Sequence, residues 1–128
     1  MRVLVCDDEQ IILKLIELSF RGTPHQLRTA ASGDEALDVM REWTPEVVFT
    51  DVIMPGMDGF DLARAVRSDP RLKDVPIVFM TASVRVEEIG ERGVGGPTAY
   101  LSKPFGPAAL RDVLASLQRG GSPGSAAS

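Results

Sequence analysis

The sequence predicts an α/β fold in which a five-stranded parallel sheet carries helices on both faces. Short apolar segments rich in β-branched residues alternate five times with segments whose apolar residues recur at helical spacing. Low complexity is confined to the last nine residues, which carry no charge and no large apolar side chain. We therefore predict one domain over residues 1–119 and a flexible tail, or the start of a linker, over residues 120–128.

The first half of the chain predicts two strands and two helices. Residues 2–6 are a short apolar run typical of a buried strand, and residues 9–20 follow as a helix. Residues 26–31 predict a weaker strand, after which Ser32 and Glu35 match a capping box that starts the second helix. Helical spacing places Ile12, Leu15, Ile16 and Ser19 on one stripe of the first helix, which is predicted to face the sheet.

The second half continues the alternation. Strands are predicted over residues 47–50, 76–80 and 99–102. The helix between the first two of these is marked by Leu62, Ala63 and Val66. A helix over residues 84–92 is poor, because glycines lie within it and directly after it. Pro107 suits the first turn of a last helix. The apolar stripe of that helix is Leu110, Val113, Leu114 and Leu117.

Composition excludes several classes of protein. No apolar run approaches the roughly 20 residues that span a bilayer, and the amino-terminal apolar run is too short for a signal peptide. The single cysteine, Cys6, excludes an internal disulfide. Lys and Arg number 14 against 18 Asp and Glu, a net charge of −4. We therefore predict a cytoplasmic domain that binds neither a membrane nor nucleic acid directly.

Four of the predicted strands end in residues that carry chemistry. They are Asp7 and Asp8 after the first strand, Asp51 after the third, Thr81 after the fourth and Lys103 after the fifth. Ligands of parallel α/β sheets bind beyond the carboxyl ends of the strands. These five side chains are therefore predicted to converge on one rim.

The chemistry of that set favours phosphoryl transfer. Three carboxylates brought together repel one another, and a divalent cation relieves the repulsion. All-oxygen ligands suit Mg²⁺, which shares a substrate phosphate. A carboxylate beside Mg²⁺ can attack a phosphoryl group and form an acyl phosphate. Lys103 and Thr81 could then supply counter-charge and a donor to the phosphoryl oxygens.

These residues and their spacing resemble the receiver domains of bacterial two-component response regulators, over about residues 1–119. The motifs that carry the resemblance are Asp7-Asp8, Asp51 with the loop of residues 54–59, Thr81-Ala82 and Lys103-Pro104-Phe105. The resemblance implies a flavodoxin-like (βα)5 three-layer sandwich whose strand order is 2-1-3-4-5.

The resemblance also implies the roles of the acidic residues. Asp51 would accept the phosphoryl group from a sensor histidine kinase or a phosphotransfer protein. Asp8, Asp51 and the backbone carbonyl of Ile53 would ligate Mg²⁺ directly, with Asp7 acting largely through water. Mn²⁺ can take the place of Mg²⁺. The protein would then be a signalling switch that catalyses only its own phosphorylation and dephosphorylation.

The resemblance further implies how phosphorylation is read. Thr81 and Lys103 would bind the phosphoryl oxygens, and Tyr100 would turn inward when Thr81 moves. The surface formed by residues 84–92, the fifth strand and the last helix would then bind a downstream partner or output domain.

Other interpretations compete with this one. A degenerate receiver would bind partners without phosphorylation, although the complete site argues against it. An aspartyl-phosphate phosphatase dependent on Mg²⁺ usually carries a second aspartate two residues after the nucleophile, where this chain has Ile53. Taken singly, Asp7 and Asp8 could cap the next helix, Thr81 could do the same, and Tyr100 could be an ordinary edge-strand aromatic.

Overall fold

A computed structural model describes residues 1–81, 95–96, 98–103 and 106–118. Within these ranges the strands are β1 (Arg2–Cys6), β2 (Gln26–Ala30), β3 (Val47–Asp51), β4 (Ile77–Thr81) and β5 (Thr98–Ser102). The helices are α1 (Gln10–Phe20), α2 (Gly33–Glu42), α3 (Gly59–Ser68) and α4 (Pro107–Gln118). The predicted helix over residues 84–92 and the predicted tail over residues 120–128 lie outside the described residues.

The five strands form one parallel sheet in the order β2-β1-β3-β4-β5, which confirms the predicted fold class and strand order. In the register, Cys6 is paired with Thr50 and Thr81 with Ser102. The carboxyl ends of the strands therefore meet at one edge, and the residues that follow them are neighbours in space.

Both faces of the sheet are covered, which completes the three-layer sandwich. Alternate strand residues point to opposite faces, so a strand buried on both faces is apolar throughout. One cluster, the α2/α3 core, contains the strand residues Leu4, Cys6, Val48, Ile77 and Phe79. The other, the α1/α4 core, contains the strand residues Val3, Val5, Val47, Phe49, Val78 and Met80.

The apolar stripe predicted for α1 was wrong in part. The helix buries Leu13, Ile16 and Phe20 against the sheet, whereas Leu15 is 53% exposed. The reason is that α1 carries apolar residues around most of its circumference, so helical spacing alone permits more than one buried face. Contact with the sheet selects the stripe that includes Phe20 and leaves Ile11 exposed.

Helix starts follow the predicted signals with one difference. Ser32 is the N-cap of α2, and its hydroxyl accepts a hydrogen bond from the Glu35 N–H at 3.1 Å. The Glu35 carboxylate accepts from the Ala31 N–H at 3.3 Å rather than from Ser32, so the predicted box is only half formed. Pro107 opens α4 as predicted. No helix among the described residues is both long and apolar enough to cross a bilayer.

Candidate functional site

Three carboxylates meet at the carboxyl edge of the sheet. Asp7, Asp8 and Asp51 each offer an oxygen, and these oxygens lie within 4.8 Å of one another. The Asp7 side chain is fully buried, Asp51 is nearly so, and Asp8 is exposed. This arrangement forms a group that can hold a metal ion, open to solvent on the side of Asp8.

Lys103 places a positive charge among these carboxylates. Its Nζ lies 2.7 Å from Asp7 Oδ2 and 3.2 Å from Asp51 Oδ2. The Lys103 side chain is only 12% exposed. Its backbone N–H donates to the Thr81 carbonyl at 3.0 Å, so the ends of β4 and β5 hold these two residues side by side. The structure thus brings together the residues predicted for the rim.

Glu9 joins this group and was not predicted from the sequence. Its Oε1 lies 3.6 Å from Lys103 Nζ. Glu9 is the N-cap residue of α1, and its side chain makes no capping hydrogen bond. The signal for it was a third consecutive acidic residue after Asp7 and Asp8.

Backbone contacts orient Asp7. Its N–H donates to the Ala30 carbonyl at 3.0 Å, which continues the pairing of β1 with β2. Its Oδ1 accepts from the Glu9 N–H at 2.9 Å, while its Oδ2 accepts from Lys103. Both oxygens therefore have donors, which offsets the cost of burying this charge.

The start of α3 packs against the backbone at Asp51. The Gly59 N–H donates to the Val52 carbonyl at 2.8 Å. A Cβ added at Gly59 would collide with the Asp51 carbonyl oxygen and lie 2.9 Å from Val52 Cα. A full capping box between Asp58 and Asp61 secures this helix end. The close approach anchors the peptide that carries Asp51.

Burial and charge shift the pKa values at the site. Burial raises the pKa of Asp51, and the neighbouring Asp7 charge raises it further, while Lys103 offsets part of the effect. Burial lowers the pKa of Lys103, but the hydrogen bond and charge of Asp7, with those of Asp51, outweigh it and leave that pKa raised. The site therefore carries excess negative charge that one lysine does not balance, which favours binding of an added cation.

Cys6 precedes Asp7 but lies outside the chemistry of the site. It is fully buried in the α2/α3 core, with its Sγ 3.7 Å from Met54 Sδ. Burial raises the pKa of the Cys6 thiol to about 12. The thiol is therefore neutral at physiological pH and is neither a nucleophile nor a metal ligand.

The remaining predicted residues lie around the rim. Thr81 is buried at the end of β4. Tyr100 is half-buried in β5, beside Phe79, and packs against the α2/α3 core. The Ile53 side chain is 68% exposed, two residues beyond Asp51. The roles of these residues, including that of the Ile53 carbonyl, stay predictions.

Replacing Asp51 with asparagine is expected to stabilise the metal-free protein by about 1 kcal/mol at neutral pH. The pKa of Asp51 is raised in the folded state, so its ionisation costs stability as pH rises through that pKa. The gain should shrink as pH falls through the raised pKa toward the ordinary value of 3.8, and it should vanish below 3.8, where the carboxyl is protonated in both the folded and the unfolded state. Urea unfolding in EDTA across this pH range measures the gain.

Asp61→Asn is a control with the opposite sign. The Asp58 N–H hydrogen bond and Arg64 lower the pKa of Asp61, so its ionised form favours folding. Its replacement should destabilise the protein above pH 3.8, and this loss should fade as pH falls through the lowered pKa. A stability gain for Asp51→Asn that did not depend on pH would contradict the prediction.

Comparison with known proteins decides the family. A family model described as "Response regulator receiver domain" matches residues 3–115. The chain belongs to the response regulator receiver family. As a receiver domain it is of the kind used in two-component signal transduction, which confirms the resemblance seen in the sequence.

Known relatives agree with this assignment. The receiver is 35% identical over 120 residues to "Probable transcriptional regulator ycf27" of Guillardia theta, covering 88% of this chain and 45% of that protein. It is 33% identical over 121 residues to "Response regulator PleD" of Caulobacter vibrioides, covering 92% of this chain and 26% of that protein. The chain thus spans less than half the length of these curated relatives.

A solved structure shows the same fold. The chemotaxis response regulator CheY4 of Vibrio cholerae superimposes with a TM-score of 0.78 at 34% identity. The match covers 92% of this chain and 96% of that one. Here the receiver accounts for nearly the whole of the matched chain.

Proposed function

We propose that this receiver is a phosphorylation-dependent switch in which Asp51 accepts a phosphoryl group from a sensor histidine kinase or a phosphotransfer protein. The observation that carries the proposal is the Lys103 ammonium, held 3.2 Å from Asp51 and 2.7 Å from Asp7 at the edge of the sheet. A nucleophilic carboxylate beside a buried counter-charge suits transfer of an anionic group. The protein would act in the cytoplasm.

The donor set fits a divalent cation. Asp7, Asp8 and Asp51 offer clustered carboxylate oxygens, which are hard ligands of the kind that Mg²⁺ or Mn²⁺ prefers. Asp8 and Asp51 would ligate the ion directly together with the Ile53 carbonyl, and Asp7 would act largely through water. When bound, the ion would neutralise charge on the carboxylates and on the incoming phosphoryl oxygens.

The residues of the chain perform the transfer itself. An Asp51 carboxylate oxygen forms a bond to phosphorus while the P–N bond of the phosphohistidine breaks. The electron pair of that bond stays on the imidazole nitrogen, which takes up a proton. The Lys103 ammonium and the Thr81 hydroxyl hold the phosphoryl oxygens. Positioning and charge supply most of the catalysis in reactions of this type.

Phosphorylation would then change a partner surface. Thr81 and Tyr100 lie on adjacent paired strands. A movement of Thr81 toward the phosphoryl group would let the Tyr100 ring turn inward. The surface affected would include β5 and α4, with residues 84–92 lying outside the described structure. A downstream protein or output domain would bind there in one state and not in the other.

The alternative is a receiver that binds partners without phosphorylation. The complete set of Asp7, Asp8, Asp51, Thr81 and Lys103 argues against it, because each residue needed for phosphoryl transfer is present. An aspartyl-phosphate phosphatase is less favoured, because Ile53 cannot act as an acid or base.

Phosphorylation by acetyl phosphate tests the proposal. With Mg²⁺ present, intact mass spectrometry should show one added phosphoryl group that hydroxylamine removes. Phosphoryl incorporation should fall at least tenfold in Asp51→Asn, because no other carboxylate of the site lies at the position of Asp51. Asp38→Asn is the matched control, since Asp38 lies exposed on α2, and it should be phosphorylated like the wild type.

Three outcomes separate the functions. Loss of phosphoryl incorporation in Asp51→Asn but not in Asp38→Asn supports the phosphorylation-dependent switch. An unmodified wild-type protein that also fails to bind Mg²⁺ supports the receiver that acts without phosphorylation. Steady phosphate release from unrelated phosphate esters supports the phosphatase.

A further inference from the structure

The Glu9 carboxylate lies at the open side of Lys103. Its Oε1 is 3.6 Å from Lys103 Nζ, and its side chain is 56% exposed, whereas the Asp7 side chain beyond the ammonium is fully buried. Glu9 is not part of the carboxylate group that can share a metal ion. It therefore places a partly exposed negative charge beside Lys103 without belonging to the candidate metal ligands.

The backbone of Glu9 is held in place. Its N–H donates to Asp7 Oδ1 at 2.9 Å, and its carbonyl accepts from the N–H groups of Ile12 and Leu13. The side chain makes no capping bond to α1 and is free to pair with Lys103. The end of β1 and the start of α1 thus hold the Glu9 backbone beside Lys103, the same ammonium that lies 3.2 Å from Asp51 Oδ2.

We propose that Glu9 is a specificity-determining residue that disfavours phosphodonors of high negative charge, acting through its charge and its ion pair with Lys103. The inference rests on the proposed phosphorylation of Asp51. A dianionic phosphodonor at Asp51 is repelled by the Glu9 charge and must draw Lys103 away from Glu9, and the carboxylate opposes both effects. A phosphodonor of lower net charge meets less opposition, so the site discriminates by charge.

Two small phosphodonors of different net charge separate an effect of the Glu9 charge from a structural effect of the substitution. Acetyl phosphate is a dianion at neutral pH, whereas phosphoramidate, with its protonated nitrogen, has a smaller net negative charge. Glu9→Gln keeps the shape of the side chain and removes the charge. At low ionic strength it should raise the rate of phosphorylation by acetyl phosphate roughly threefold to tenfold. The increase with phosphoramidate should be smaller, and both increases should fade near 1 M salt, where the Debye length is about 3 Å.

Glu17→Gln is the matched control. Glu17 is exposed on the same helix, eight residues further along, which is about 12 Å along the helix axis. Glu17→Gln removes one negative charge as Glu9→Gln does, and at the same low ionic strength it should change both rates by less than about twofold, because its charge lies much further from Lys103.

The outcomes distinguish this inference from the function on which it rests. A wild-type protein that takes phosphate from neither donor overturns the proposed function and this inference with it. A wild-type protein that is phosphorylated at Asp51, with the same increase for both donors in Glu9→Gln, overturns only the role of Glu9. Equal rate increases in Glu17→Gln and Glu9→Gln would also overturn the role of Glu9.

Discussion

Lys103→Met is expected to destabilise the metal-free protein by about 3 kcal/mol. The substitution keeps much of the side-chain volume but removes the ammonium that lies 2.7 Å from Asp7 Oδ2 and 3.2 Å from Asp51 Oδ2. The fully buried Asp7 is then left without its ion pair, beside the nearly buried Asp51. Breaking one partner of a buried ion pair costs more than the pair contributes, because an unpaired buried charge remains.

Divalent cations should restore much of this loss. In Lys103→Met the ammonium no longer competes for the carboxylates, so millimolar Mg²⁺ should stabilise the variant more than the wild type. Urea unfolding in EDTA and in Mg²⁺ measures both effects. Lys73→Met is the control, since Lys73 is exposed, and its stability should stay within about 0.5 kcal/mol of the wild type. A variant as stable as the wild type in EDTA would contradict the stabilising role of the buried ion pair, and a variant that does not respond to Mg²⁺ would contradict the candidate metal site.

Gly59→Ala is expected to cost about 2 kcal/mol of stability and to slow phosphorylation of Asp51. The new methyl group would collide with the Asp51 carbonyl oxygen and approach Val52 Cα to 2.9 Å. Both are backbone atoms and cannot move aside as a flexible side chain could. The start of α3 must shift, and it takes the end of β3 with it. The loss should appear although alanine favours helix by about 1 kcal/mol over glycine.

Gly95→Ala provides the comparison for this variant. Nothing lies within 4 Å of a Cβ added at Gly95, and this residue is not among the glycines with positive φ. Its stability should match or slightly exceed that of the wild type. Denaturant midpoints and the rate of phosphorylation by acetyl phosphate measure the two variants together. Equal stability of Gly59→Ala and Gly95→Ala would show that α3 does not anchor Asp51 as described.

Most of the fold was predictable because its signals are local. A parallel sheet buried on both faces demands continuous apolar strands, and Val47–Asp51 and Ile77–Thr81 are buried along their whole length. Caps and turn residues marked the starts of α2 and α4. The box of Asp58 and Asp61 at α3 was not predicted, although its spacing of three residues is the signal for it.

The sequence by itself determined the sheet, the edge at which its strands end and the identity of the five rim residues. Strand-ending polar residues are visible in the chain, and parallel topology requires them to meet. Only the tertiary structure decided that α1 buries Phe20 and exposes Leu15, that Glu9 pairs with Lys103, and that Gly59 lies against the backbone of Asp51. The first two depend on contacts between segments far apart in the chain, and the third on how closely the loop between β3 and α3 folds back. Local residue patterns carry no information on such distances.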